Sequence, residues 1–273
     1  MNSYKKLVKY FAIALACGIL VSIISLIVYG FGGMVSLFGS NKNNNGEYFD
    51  KNDSFDVASD IDIIDIEVDN VDIVIEAGDE FKIATDNDDI IYRENDKRLV
   101  ISGKKASIFK KKVDTSVVIY IPKNKELDRI ELESGVGSVI INEISVGILE
   151  MELGAGKVEI DDLEVLRKVD IDGGAGEIVI DNSKFNNLEL DMGIGSVSLS
   201  GEVFGNNEIN AGVGKLDLEL VGRIDDYMVH VNKGVGEAII DGNSISDNTT
   251  YGNGNNKINI DGGIGSISVN FIR

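Results

Sequence analysis

The chain has 273 residues, with 31 Gly, one Pro and no Trp, and carries 26 basic against 46 acidic side chains for a net charge of −20. The four basic residues of the first 46 positions (Lys5, Lys6, Lys9, Lys42) meet no acid there, which leaves the remainder at 22 basic against 46 acidic, or −24. So acidic a body repels phosphate backbones and excludes nucleic acid as a main partner, and the single Cys17 excludes an internal disulfide framework and a Cys-rich zinc site.

Residues 1–10 read as a short cytoplasmic tail too small to hold a catalytic domain. Tyr10 to Asn41 contains no charge, and the apolar run within 11–38 is long enough to span a bilayer as one helix. Cys17 falls inside that run, where a small membrane-buried residue is the expected reading; the run continues past "ALAC" at 14–17, which a lipoprotein signal would not do. Lys5, Lys6 and Lys9 before the span place the N-terminus in the cytoplasm and the body outside it. Residues 39–54, "GSNKNNNGEYFD" and its continuation, have the polar composition of a linker.

Residues 55–133 are strand-like, with "DIDIIDIEV", "VDIVIEA", "RLVISG" and "TSVVIYI" interrupted by the Lys-rich "GKKASIFKKKVD". This N-terminal β region is expected to cap a stack formed by the rest of the chain. Residues 134–273 repeat one phrase seven times, as "GVGSVII", "GAGKVEI", "GAGEIVI", "GIGSVSL", "GVGKLDL", "GVGEAII" and "GIGSISV". The first glycines are spaced 19, 20, 19, 19, 22 and 29 apart, in the range of stacked repeats.

Within each copy apolar residues alternate as in a half-buried strand, then slip by three across the glycines. Leu188, Leu190, Met192 and Ile194 step to Val197 and Leu199 in this way. One extra residue at a fixed place is what a bend between two strands requires. The glycine pairs Gly135/Gly137, Gly154/Gly156, Gly174/Gly176, Gly193/Gly195, Gly212/Gly214, Gly234/Gly236 and Gly263/Gly265 are therefore read as structural corners. Continuing the alternation points the middle residues, Val136, Ala155, Ala175, Ile194, Val213, Val235 and Ile264, into a core. A phosphate loop would need Lys and Ser or Thr after the second glycine, and no copy supplies both. The returns carry apolar anchors at Ile144, Leu163, Phe185, Phe204 and Ile224, and "GNSISDNTTYGNGNN" at 242–256 reads as an exposed loop. The fold expected is all-β, a β-solenoid-like stack of short strands in seven Gly-x-Gly rungs preceded by one transmembrane helix. An antiparallel sandwich is the alternative.

No catalytic, cofactor or metal-binding residue is assigned. The only histidine, His230 in "YMVHVN", points outward from a strand, without a nucleophile beside it. Acids such as Glu159, Glu177, Asp217 and Glu237 spread over outward positions; a facing pair in a groove would instead suit a polysaccharide hydrolase or lyase. Calcium nonapeptide repeats need an Asp where this chain has Ile178 and Ile267.

The segment "IYIPKNKELDRIELESGVGSVII" at 119–141, with the recurring Gly-x-Gly-x-Φ-x-Φ, resembles the bacterial "putative adhesin", or toastrack, family over about residues 55–273. That resemblance implies a stack of short strands, no catalytic residues, and a membrane-held module that adheres or senses through an envelope component or a membrane protein partner.

Overall fold

The computed structural model describes residues 47–48, 53–87, 89–103 and 115–272. The expected tail and anchor, and most of the Lys-rich segment, lie outside these residues. Among the described residues no helix is long and apolar enough to cross a membrane.

The described chain is built almost wholly of strands. Short strands come first: β1 (Glu47–Tyr48), β2 (Asp53–Asp56), β3 (Ile63–Val68), β4 (Asp72–Gly78), β5 (Lys82–Thr85), β6 (Ile90–Asn95), β7 (Arg98–Gly103) and β8 (Ser116–Pro122). Long bent strands come next: β9 (Glu126–Asn142), β10 (Ser145–Asp161), β11 (Glu164–Asn186), β12 (Leu188–Phe204) and β13 (Asn206–Val221). One 3-10 turn at Ile224–Asp226 then leads to β14 (Tyr227–Asn232), β15 (Val235–Ile240), β16 (Asn243–Ser244), β17 (Thr249–Gly252) and β18 (Asn256–Ile272).

Each long strand crosses a Gly-x-Gly corner, so that it has a first limb before the glycines and a second limb after them. Neighbouring layers pair in parallel along both limbs, from β9 to β10, β11, β12 and β13. This is a parallel solenoid and not the antiparallel sandwich. Inward rows run the length of the stack on both limbs. On the first limb Ile101, Ile66, Leu132, Met151, Ile171, Leu190, Ile209, Ile260 and Val231 follow one another in register, all buried. On the second, Ile119, Ile75, Ile141, Ile160, Ile180, Leu199, Leu218, Val269 and Ile240 do the same. Full burial of each such side chain contributes about 1.5–3 kcal/mol, and only stacking provides it, because a lone layer has no inner neighbour.

The layers do not follow chain order at the C-terminal end. β18, which carries the seventh Gly-x-Gly, pairs with β13 on one side and with β14 and β15 on the other. The seventh rung is thus inserted between the fifth and the sixth. The long return at 242–256 makes this possible. It is largely exposed, as expected, but it also forms β16 and β17, antiparallel to β15 and β14, and buries Ile245.

At the other end, β3 and β4 form a rung of their own against β9, with Asp69, Asn70 and Val71 at the corner in place of Gly-x-Gly. The next layer, β7 and β8, joins through the Lys-rich segment. A Cβ built on a corner glycine points toward the preceding layer: Gly154 toward the Gly135 carbonyl, Gly135 toward that of Asp69, and Gly137 toward that of Val71. Both ends finish in antiparallel strands, β5 on β8 and β6 on β7 at one end, β17 and β16 at the other. Short antiparallel strands of this kind blunt the open edges of a stack.

A second kind of corner comes after the second limb. Glu143, Asp162, Asn182 and Asp241 adopt φ of 52°, 52°, 49° and 45°, a conformation that Asn and Asp tolerate better than most residues. Three of these amides, at Glu143, Asp162 and Asp241, donate to a carbonyl of the adjacent layer at 3.0, 3.2 and 2.9 Å. In the returns Ile144, Leu163 and Phe185 are buried as expected. Phe204 and Ile224 are only half-buried; Val203 and Tyr227 take the interior places. Tyr227 donates its hydroxyl to the Val221 carbonyl at 2.6 Å, and burial, then the charges of Glu202 and Asp226, push its pKa up to about 12.

Candidate interaction surface

The corner glycines come together as two rows. Gly137, Gly156, Gly176, Gly195, Gly214, Gly265 and Gly236 lie in register across adjacent layers, and Gly135, Gly154, Gly174, Gly193, Gly212, Gly263 and Gly234 stand two residues before them. Backbones approach so closely there that a Cβ on Gly214 would overlap the Gly195 carbonyl oxygen, and one on Gly195 that of Gly176.

The middle residues depart from expectation. Val136, Ile194, Val213, Ile264 and Val235 are 51%, 44%, 39%, 58% and 70% exposed, and Ala155 and Ala175 are exposed as well. They point out of the stack. The second glycine of each pair has a φ near +150°, as at Gly195 (151°) and Gly214 (149°). The extra residue is therefore absorbed at the corner itself, which turns the middle side chain outward. The result is a continuous apolar ridge, flanked on each side by glycine backbone that carries no side chain. A shallow depression beside it is lined by Leu153, Ala155, Ala175 and Met192 among the glycines.

The acids are also more ordered than a scattered solvated surface. Outward positions of the first limb form two registered rows. One contains Asp65, Glu131, Glu150, Asp170, Glu189 and Glu208; the other contains Glu67, Glu133, Glu152, Asp172 and Asp191. Arg98 bridges Asp65 and Glu131 at 3.0 and 2.6 Å, Arg129 reaches Glu150 at 3.0 Å, and Lys168 reaches Asp170 and Glu189 at 2.7 and 3.2 Å. These cations offset the first row. In the second row, nearer the corner, Glu152 and Asp172 have no basic partner among the described residues. Partial desolvation, then the carboxylates of Asp170, Asp191, Glu152 and Glu189, raise the Asp172 pKa above its ordinary 3.8.

The second limb is different. Glu159, Glu177, Asp217 and Glu237 lie there, interleaved with serines and lysines: Lys157 pairs with Glu159 and Glu177, and Lys215 with Asp217. His230 lies outward at the end of the first acidic row, with Nδ1 2.9 Å from Thr250 Oγ1. Among the described residues no group of three or more His, Cys, Asp or Glu side chains is arranged to hold a metal ion. The acidic rows lie along an open strand face and not in a cleft.

Desolvation and repulsion at Asp172 have a measurable consequence. Because the folded state raises the Asp172 pKa, this group's contribution to stability is most favourable below the unfolded value of 3.8 and is lost as pH rises through the folded value. Asp172→Asn is expected to raise the urea midpoint at pH 7 and to leave it unchanged below 3.8. The gain should stay within about 0.5 kcal/mol, because the side chain faces screening solvent. A lower midpoint at pH 7 would show that the carboxylate serves the fold.

The registered corners, outward ridge and capped ends define a parallel β-solenoid of short strands. The model of the Toastrack DUF4097 family matches residues 61–261, and the chain belongs to that family. Three solved structures are similar to it. A "putative cell adhesion protein" from Clostridium sporogenes is 15% identical, covering 81% of this chain and 99% of that one, with a TM-score of 0.35. A "putative adhesin" from Bacteroides fragilis is 15% identical, covering 81% and 95%, with a TM-score of 0.44. One from Parabacteroides distasonis is 16% identical, covering 84% and 98%, with a TM-score of 0.29. No curated protein matches the chain.

Proposed function

We propose that the protein is a non-catalytic scaffold, held at the membrane by 11–38 with its β body outside the cytoplasm, that binds an envelope component or a membrane protein partner. The observation that carries this reading is the ordered outer surface of the solenoid. The first limb and corner present aligned charge and an exposed apolar ridge on a frame held by continuous buried rows. Surfaces on rigid elements keep their geometry without a partner, so little ordering cost opposes binding.

Crosslinking in intact cells with a reagent that does not cross the membrane, followed by identification of the attached species, tests the reading. A recurrent envelope or membrane species on the body is expected. Absence of crosslinks, together with protection of the body from added protease, would contradict both the orientation and the role. The aligned carboxylates bring the hydrolase class into the same experiment, since glycoside cleavage uses two acids flanking the bond. Purified wall polymer incubated with the protein is expected to release no soluble fragments. Release that is abolished by Asp172→Asn would replace the scaffold reading with the enzymatic one.

A further inference from the structure

We propose that the Gly-x-Gly corner is a docking surface for a cationic amphipathic helix. The proposal rests on the scaffold reading above and names the chemistry of the partner.

The first argument is shape. Side chains of the ridge sit one per layer, and layers in a sheet are about 4.8 Å apart, so seven of them make an apolar line about 29 Å long. A helix of about 20 residues has the same length. The line is not uniform. Val136, Ile194, Val213, Ile264 and Val235 stand up, while Ala155 and Ala175 leave a dip between Val136 and Ile194. Because the residues on both sides of each ridge position are glycines, the ridge is flanked by troughs of bare backbone. Such troughs admit the apolar side chains of an apposed helix.

The second argument is charge. On the first-limb side the ridge is bordered by the acidic row that contains Glu152, Asp172 and Asp191. On the second-limb side it is bordered by a mixed row in which Lys157 and Lys215 are paired with neighbouring acids. A partner that covers the ridge meets negative charge along one flank and a nearly balanced surface along the other. The complement is a helix whose apolar stripe has basic residues on one side. A second copy of this chain fits poorly, since each body carries 22 basic against 46 acidic residues and two bodies repel. An anionic lipid surface is disfavoured for the same reason.

The test uses the full-length chain in discs of zwitterionic lipid and three peptides of about 20 residues, each bearing one photoreactive side chain. The first has a Leu stripe and Lys flanks. The second has the same Lys content with Ser in place of Leu, and the third has Glu in place of Lys. The Leu/Lys peptide is expected to crosslink at the corner positions, with a yield about tenfold above both others. Combined Ile194→Thr, Val213→Thr and Ile264→Thr, which keep β-branching, should reduce that yield about tenfold without shifting the melting midpoint. Combined Glu152→Gln, Asp172→Asn and Asp191→Asn should weaken crosslinking and flatten its salt dependence.

Equal crosslinking by the Lys/Ser or the Leu/Glu peptide would overturn the proposal, as would an unchanged yield in the threonine variant. Ridge-to-ridge crosslinks between two copies without peptide would overturn it in favour of self-association. Partners captured in cells on another face of the body would leave the scaffold reading standing while the ridge proposal fails.

Discussion

Gly195→Val is expected to lower the urea midpoint strongly, whereas Gly242→Asn should be nearly silent. Gly195 has a φ of +151°, and a Cβ there would overlap the Gly176 carbonyl oxygen and lie 2.7 Å from Met192 Cε. Two costs add at this position. An L side chain in a sparsely populated backbone region costs about 1–3 kcal/mol, and forcing atoms into a packed site costs about 1–3 kcal/mol more. The overlap is with backbone, which cannot rotate away, so two layers would have to separate and the buried rows beneath them would open. Against a total stability of about 5–15 kcal/mol, a loss of about 2–6 kcal/mol is a large fraction. Gly242 also has a positive φ, +72°, but nothing lies within 4 Å of its Cβ position, and Asn tolerates that conformation. Urea melts of the two variants separate the effects of backbone sign and of layer contact. If Gly195→Val melts with the wild type, the corner is not closely stacked.

Removal of residues 256–273 is the second large effect. In a stack that follows chain order, deleting the last rung would remove a terminal layer and leave the others paired. Here β18 is internal. Its loss would strip the pairing surface from β13 on one side and from β14 and β15 on the other, together with Ile258, Ile260, Ile267 and Val269 from the buried rows. Four such side chains represent roughly 6–12 kcal/mol of burial, the same order as the stability of a whole domain. A chain ending at Asn255 is expected to lose its cooperative urea transition and to expose 206–252 to protease. Retention of the wild-type midpoint would place β18 at the end of the stack.

Much of this architecture is legible in the sequence, because the physics that builds it is local and repeated. Alternating Val, Ile and Leu mark the limbs, and the slip of three marks the corner wherever glycines flank it. The same slip occurs from Val68 to Val71, with Ile64 and Ile66 before it and Ile73 and Ile75 after. Without glycines it does not announce itself as a rung, yet the buried pattern is the same. The direction of the ridge is misread for a different reason. Alternation carried through a corner assumes strand geometry at every residue, but Gly195 and Gly214 have φ values that side-chain-bearing residues rarely adopt. Parity is reset at the glycines, and Ile194 and Val213 face out.

Stack order is not legible at all. Every rung offers nearly the same face, so β13 could pair with either later rung as far as local chemistry is concerned. The length of the 242–256 return is the one signal that the chain travels further than one layer. The acidic rows are hidden for a related reason. Glu131, Glu150, Asp170 and Glu189 look dispersed along the chain, and only the interlayer register lines them up.

The arrangement of the corner can be tested most directly by disulfide trapping along the ridge, in a chain whose native Cys17 is replaced by Ser. Val213 and Ile264 are 51 residues apart in sequence but adjacent in the stack, while Val213 and Val235 are 22 apart and separated by the β18 layer. Adjacent layers place Cα atoms about 4.8 Å apart, within the range a disulfide spans, and alternate layers about 9.6 Å apart, beyond it. Val213→Cys with Ile264→Cys should oxidise rapidly to an intramolecular disulfide, and Val213→Cys with Val235→Cys should remain reduced. Rapid closure of the second pair with none in the first would contradict both the order of the layers and the outward ridge built on them.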